Sequence, residues 1–475
     1  MSSATGDPMP TVTEAVDAIA SRRTSATELL EQCLDAARRA EPLNPFAHVD
    51  SDGARSAARE IDDAIARGDA VGPLAGVPFA VKDLEHCAGM PMTKGSRWYA
   101  GGPPDTFDDI HVARLRAAGA VPFAKSTTPE FGTWAYTASP ALGVTRNPWA
   151  LDRTPGGSSG GTAAAVAAGV MPFGTASDGG GSIRTPASFT GLPGLKPSYG
   201  RIPTLAVTHL SQNAVLGSLA TTVSDTALLL DVMSGPSRYD RTSLPVPGVR
   251  YADAIESLDV RGMKVAWSPD LGFAIAEPAV VDVCEAAMRR LVDAAGLELV
   301  DLPVKFDDYI SVYVRIEGVD QWIGLPQGLY PERADELDPT VRPGWDAAVK
   351  VTAPKIARAY DARRAIEHQL AAIFDKVDVL ITPMSARPAF AAEGPMPTEI
   401  AGREVHGGMA VIYAMLANFW GSPAMTVPAG LVDSPVGSLP VGLQIMADRH
   451  RDDVCLRLAR LYEQASPWPR HAPGW

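Results

Sequence analysis

Between Thr154 and Arg184 the chain twice passes through a glycine-rich turn that carries a serine. The first is Thr154-Pro155-Gly156-Gly157-Ser158-Ser159-Gly160-Gly161; the second is Ser177-Asp178-Gly179-Gly180-Gly181-Ser182-Ile183-Arg184. Glycine clusters admit backbone conformations closed to other residues and let the main chain approach a ligand, so each marks a tight junction between regular elements. Residues 163–168 read as an alanine-rich helix after the first turn, and residues 171–176 lead into the second. The alternation extends in both directions. Residues 77–81 and 121–124 read as strands around a helix at 110–118 that stops at Gly119. Farther on, 264–267, 299–302 and 377–382 read as strands, with helices at 281–294 and 345–374. Short apolar runs alternating with helices predict an α/β fold with a large central, twisted, mixed, mostly parallel sheet and helices on both its faces.

The N-terminal region, residues 1–70, reads as helical. Ser25-Ala26-Thr27-Glu28 forms a capping box ahead of Leu29, Leu30, Cys33, Leu34 and Ala37 at helical spacing, and a second helix at 54–66 stops at Gly68. Residues 71–235 hold both serine turns and form the core of the chain. Residues 236–475 continue the same domain after a Ser/Pro/Gly-rich connection at 235–250, with an inserted helical lobe at about 300–375. The net charge of −13 argues against a nucleic-acid or anionic-membrane partner, which would call for a basic face. Residues 1–10 lack the basic and apolar regions of a signal peptide. The cysteines, Cys33, Cys87, Cys284 and Cys455, form no C-x-x-C pair, which favours a reducing, cytoplasmic setting over a disulfide framework or zinc site. No histidine lies in a metal-ligand pattern, so no metal is expected.

Three residues carry chemistry. Serine is a poor nucleophile until a base takes its proton, and a lysine can do so when burial keeps it neutral. Lys82 closes the apolar run Val77-Pro78-Phe79-Ala80-Val81, where its neighbours can desolvate it. A lysine at a strand end more commonly extends its ammonium into water. Ser158 fits the G-x-S-x-G pattern, but a nucleophile elbow needs a strand running into the serine, and residues 146–155 read as loop. Ser182 follows three glycines, and the N–H groups of Gly179, Gly180, Gly181 and Ser182 can converge on an oxyanion. Asp178 and Arg184 flank that turn and can pair to hold its shape. Gly194-Leu195-Lys196-Pro197-Ser198 lacks the spacing of a phosphate-binding loop.

These segments resemble the amidase signature family. The resemblance runs from Gly156 to Arg201, takes in Gly76-Val77-Pro78-Phe79-Ala80-Val81-Lys82-Asp83, Thr128-Pro129-Glu130-Phe131-Gly132 and Asn418-Phe419-Trp420-Gly421-Ser422-Pro423-Ala424, and ends with Pro440-Val441-Gly442-Leu443-Gln444-Ile445. It implies a Ser-Ser-Lys amidohydrolase without cofactor. Ser182 is then the acyl-forming nucleophile, Ser158 a bridging serine after a cis peptide, and Lys82 the base, with Ser159, Asp178 and Arg184 in support. Ser177, Gly179 and Thr221 depart from the family's common residues. The implied substrate is a small neutral aryl or alkyl amide; carbamates, esters and hydrazides share the acyl chemistry. Phe131, Trp134, Tyr136, Trp322 and Trp420 are candidates for an acyl pocket. The family also includes a component of the glutamyl-tRNA amidotransferase, where an aspartate holds the substrate ammonium; the corresponding residue here is the apolar Val411. A free-standing hydrolase, monomeric or homodimeric, is therefore expected in place of an amidotransferase component. A non-catalytic subunit and a histidine-dependent esterase are the remaining alternatives.

Overall fold

The computed structural model describes residues 8–205, 212–323 and 325–475. The expectation about a signal peptide rests largely on residues 1–7, which lie outside the described residues. Among the described residues, eleven strands form one sheet. They are β1 (Phe46–Val49), β2 (Pro78–Lys82), β3 (Val121–Ser126), β4 (Phe173–Asp178), β5 (Gly194–Lys196), β6 (Val215–Ala220), β7 (Lys264–Trp267), β8 (Glu298–Leu299), β9 (Val379–Pro383), β10 (Ala424–Ser434) and β11 (Gly437–Ala447). Their order across the sheet is β1-β3-β2-β4-β6-β5-β10-β11-β9-β7-β8. Parallel pairing runs through β3-β2-β4 and β9-β7-β8, on the two flanks. Between them β6, β5, β10 and β11 pair antiparallel, and the β10–β11 hairpin supplies the longest ladder.

Both faces of this mixed sheet are covered, and the strand sequences show why. Val265, Val379, Ile381, Met425 and Ile445 enter one apolar core, while their neighbours Ala266, Leu380, Ala424 and Met446 enter a second on the opposite face. Successive side chains of a strand point to opposite sides, so a continuous apolar run fills two cores. Phe79 of β2 stacks on Phe173 of β4 at 5.0 Å between ring centres, which ties the two strands that carry the candidate site.

The helices that matter below are α1 (Ala26–Arg39), α2 (Ser51–Arg67), α3 (Gly160–Ala167), α4 (Arg184–Thr190), α5 (Pro278–Ala295), α6 (Ile310–Asp320), α7 (Arg342–Ala348), α8 (Ala353–Phe374) and α9 (Met415–Trp420). The capping box at Ser25 is formed in both directions: Ser25 Oγ accepts the Glu28 N–H and Glu28 accepts that of Ser25. α2 begins at Ser51, earlier than its apolar spacing indicates, because the Asp50 side chain caps it through the Gly53 N–H. The single helix expected over 345–374 is two, α7 and α8, separated before Pro354, which has no N–H for a continuing ladder. The strand expected at 299–302 shrinks to the two residues of β8 at the sheet edge. No helix among the described residues is long and apolar enough to cross a membrane.

Candidate active site

Lys82 ends β2 and Asp178 ends the adjacent parallel strand β4, so the second serine turn opens beside the lysine at the carboxyl ends of both strands. The crevice beyond such strand ends is where open α/β sheets bind their ligands. The Lys82 side chain is fully buried. Its Nζ lies 2.8 Å from Ser158 Oγ and 2.9 Å from both Ser159 Oγ and Ser177 Oγ. Burial pulls its pKa down to about 8, against the opposing charges of Glu85 and Asp178. Removing a charged ammonium from water favours the neutral amine, which has a lone pair with which to accept a proton.

Ser158 is presented by the first turn, where the Gly157–Ser158 peptide is cis. The turn is clasped by residues 134–137. Thr137 Oγ1 donates to the Gly156 carbonyl at 2.8 Å, and a Cβ on Gly157 would stand 2.6 Å from the Trp134 carbonyl oxygen. Residues 146–155 form turns and coil, so no strand enters Ser158 and the elbow geometry is not built. The Ser159 N–H donates to the Ser182 carbonyl at 3.3 Å, joining the two turns. Ser182 is half-buried at the start of α4, and its hydroxyl makes no hydrogen bond among the described residues.

The second turn hangs on Asp178. Its carboxylate accepts the N–H groups of Gly181 at 2.8 Å and Ile183 at 3.2 Å, and it pairs with Arg184 through Nη2 at 2.8 Å and Nε at 3.0 Å. Burial would raise the Asp178 pKa; the charge and hydrogen bonds of Arg184 and the amide of Asn418 outweigh it and hold the carboxyl far below its usual range. Arg184 also donates to the Ala414 carbonyl, to Gln444 at 2.6 Å and to Asn418 at 2.7 Å. This pair is wholly buried, unlike the solvent-exposed pair such spacing usually makes. Among the four N–H groups expected to face an oxyanion, that of Gly181 is committed to Asp178, because the carboxylate caps the turn from inside.

Sequence reasoning missed three contributions. Ser177, visible in the sequence only as a departure from the family pattern, supplies the third hydroxyl around Lys82. Asn418 and Gln444 clamp Arg184; each is a lone buried amide in an otherwise apolar run, the signal that would have marked them. Tyr313, on α6, reaches the Gly179 carbonyl at 3.1 Å and has no motif of its own.

The five aromatic candidates separate. Phe131 sits in the turn at Glu130–Gly132, and a Cβ on Gly132 would lie 3.4 Å from Ser158 Oγ, so this turn borders the site. Phe131 packs on Trp345 at 5.9 Å, and Trp345 packs on Trp322 at 5.5 Å, so these aromatics are continuous with it. Trp134 and Tyr136 stack and direct their polar atoms to Thr340 Oγ1. Trp420 is not brought into this set: α9 ends at it, its Nε1 donates to Asp448 at 3.1 Å, and Arg449 covers its ring. A depression of about 500 Å³ lined by Gln212, Tyr360, Asp361, Arg363 and Glu367 contains none of the catalytic candidates.

The Amidase family matches residues 28–456. The chain belongs to the amidase signature family. It is 32% identical to an acylamidase of Rhodococcus erythropolis over 97% of this chain and 96% of that one. It is equally 32% identical to a glutamyl-tRNA(Gln) amidotransferase component from Chloroflexus aggregans over 98% of both chains. Among solved structures, a bacterial aryl acylamidase of the same family superposes with a TM-score of 0.89 at 28% identity, covering 97% of both chains. An amidase signature enzyme hydrolyses amides, and this chain is such an amidohydrolase.

Proposed function

We propose that this amidase cleaves small neutral aryl or alkyl amides through an acyl-enzyme on Ser182. The observation that carries the reading is the fully buried Lys82, its pKa lowered to about 8 by burial, bonded at 2.8 Å to Ser158 in the turn tied to Ser182. Ser182 Oγ attacks the carbonyl carbon while its proton passes through Ser158 to Lys82. The tetrahedral oxyanion is met by the amides of Gly179 and Gly180. The C–N bond then breaks, and Lys82 returns the proton through Ser158 to the departing nitrogen. Water, deprotonated along the same path, cleaves the ester and frees Ser182. The neutral acyl preference is supported by the apolar run from Phe131 through Trp345 to Trp322. Carbamate, ester and hydrazide substrates fit the same steps.

A role as the glutamine-using part of an amidotransferase is favoured by relatives such as the Chloroflexus aggregans protein. Against it, position 411 carries a valine, buried in an apolar core with Ile310 and Met409, and an apolar side chain cannot hold an ammonium. The test is product formation by mass spectrometry from an anilide, a primary amide, a carbamate and an ester sharing one aryl acyl group, with glutamine as control. Turnover of the anilide or carbamate by the isolated chain, abolished in Ser182→Ala, is the expected result. Hydrolysis of glutamine alone would overturn the substrate class, and an active Ser182→Ala protein the mechanism.

A further inference from the structure

The peptide joining Gly179 to Gly180 is held from the lobe. Tyr313 donates its hydroxyl to the Gly179 carbonyl at 3.1 Å. That carbonyl and the Gly180 N–H belong to one planar unit and, in a trans peptide, point in opposite directions. To fix one is to aim the other. Gly180 is fitted to this contact: a Cβ there would stand 1.9 Å from the Tyr313 hydroxyl oxygen and 2.5 Å from Cζ.

The hydroxyl is itself held in place. The Tyr313 ring packs against Phe419 at 5.8 Å, and Tyr309, the N-cap residue of α6, donates to the Ile412 carbonyl at 2.9 Å. Glu317, one turn later, accepts from Asn213 at 3.0 Å, and the Asn213 carbonyl accepts from Asn418, which also bonds Asp178. α6 is thus latched to the network that shapes the second turn. Burial, with the charges of Glu317 and Asp178, pushes the phenol far above its ordinary pKa, so it stays a donor.

We propose that Tyr313 is a positioning residue that aims and polarises the Gly179–Gly180 peptide so that the Gly180 N–H serves the oxyanion formed at Ser182. The inference rests on the reading of Ser182 as nucleophile. A hydrogen bond at one end of an amide strengthens donation at the other by about 10–30%. Losing a whole oxyanion donor costs about 10²–10³ in kcat, so loss of its aim and polarisation is expected to cost about tenfold.

The experiment compares wild type, Tyr313→Phe and Ser182→Ala on N-(4-nitrophenyl)benzamide, with 2,2,2-trifluoroacetophenone as a probe whose carbonyl takes up the serine oxygen. Tyr313→Phe keeps the ring against Phe419, and its thermal midpoint should stay near that of wild type. Its kcat should fall about tenfold with KM changed less than twofold, and the ketone's affinity should fall by the same factor. A purely structural tyrosine would lower the midpoint without that matched loss. Unchanged kcat and ketone affinity in Tyr313→Phe, beside an inactive Ser182→Ala, overturns the inference alone. An active Ser182→Ala overturns the nucleophile and the inference with it.

Discussion

In the proposed mechanism Lys82 sets the pH range in which the site works. Its pKa is lowered by burial to about 8 from 10.5, and only the neutral amine accepts the serine proton. The acidic limb of the kcat/KM profile should therefore be centred near pH 8, activity rising as pH increases through it. In Lys82→Arg the limb should vanish along with the activity, because guanidinium does not deprotonate in proteins. Lys82→Ala should suppress anilide hydrolysis at least as strongly as ester hydrolysis, because an amine leaving group needs the returned proton. The same depression links to stability. Between pH 8 and 10.5 the unfolded lysine binds more protons than the folded one, so its contribution to stability rises with pH across that window and flattens above it. Denaturant titrations of wild type and Lys82→Met at pH 8 and 10 should show the difference. Lys82, Ser158 and Ser182 were all marked as candidates by the sequence, since each stands in an unusual local context, and the structure brings Lys82 Nζ to 2.8 Å from Ser158 Oγ. Ser177 was not: its hydroxyl matters only because β2 and β4 lie side by side, a fact no local window contains.

Elements and their junctions were read with uneven success for physical reasons. Helix ends announced by capping side chains or by glycine stood out, as at Ser25 and Gly68, whereas Pro354 broke a helical pattern that continued on both sides of it. The turn that carries Ser158 is constrained by main chain. A Cβ on Gly157 would meet the Trp134 carbonyl oxygen at 2.6 Å and the Tyr136 nitrogen at 2.7 Å, atoms that cannot rotate away. Gly157→Ala should therefore displace Ser158 from Lys82 Nζ, and misplacement on the order of 1 Å costs about 10²-fold in rate. The matching observation is a loss of kcat with folding retained, read by activity and circular dichroism together. A Gly157→Ala enzyme with wild-type kcat would show that the turn has slack its contacts do not suggest. The aromatic candidates followed the same logic. Phe131 belongs to the turn whose Gly132 approaches Ser158, whereas the end of α9 turns Trp420 toward Asp448 and Arg449.

Across the whole molecule, alternating strands and helices announced a sheet with both faces covered, but not the order in which its strands lie. That order brings β10 and β11, near the C-terminus, into the middle of the sheet beside β5. Through it Gln444, on β11, reaches Arg184, and Asn418, on α9 just before β10, reaches Asp178 and Arg184. The serine turn is thereby shaped by side chains more than 200 residues away in sequence. Asn418 donates to the Asp178 carbonyl and carboxylate and to the Asn213 carbonyl, while its own oxygen accepts from Arg184. Truncating it leaves those partners buried and each short of a hydrogen bond. With about 1.5–3 kcal/mol at stake for a hydrogen bond to a charged group, Asn418→Ala should lower unfolding free energy by about 3 kcal/mol or more. Because the same contacts set the position of Ser182, kcat should fall in the fraction that remains folded. Trp420→Ala, two residues on, removes a half-buried ring that packs on Arg449 and the edge of the second core, and should leave the rate on the anilide close to wild type. If the two variants instead lost activity in proportion to stability alone, the long-range clamp would be holding the fold together without shaping the chemistry.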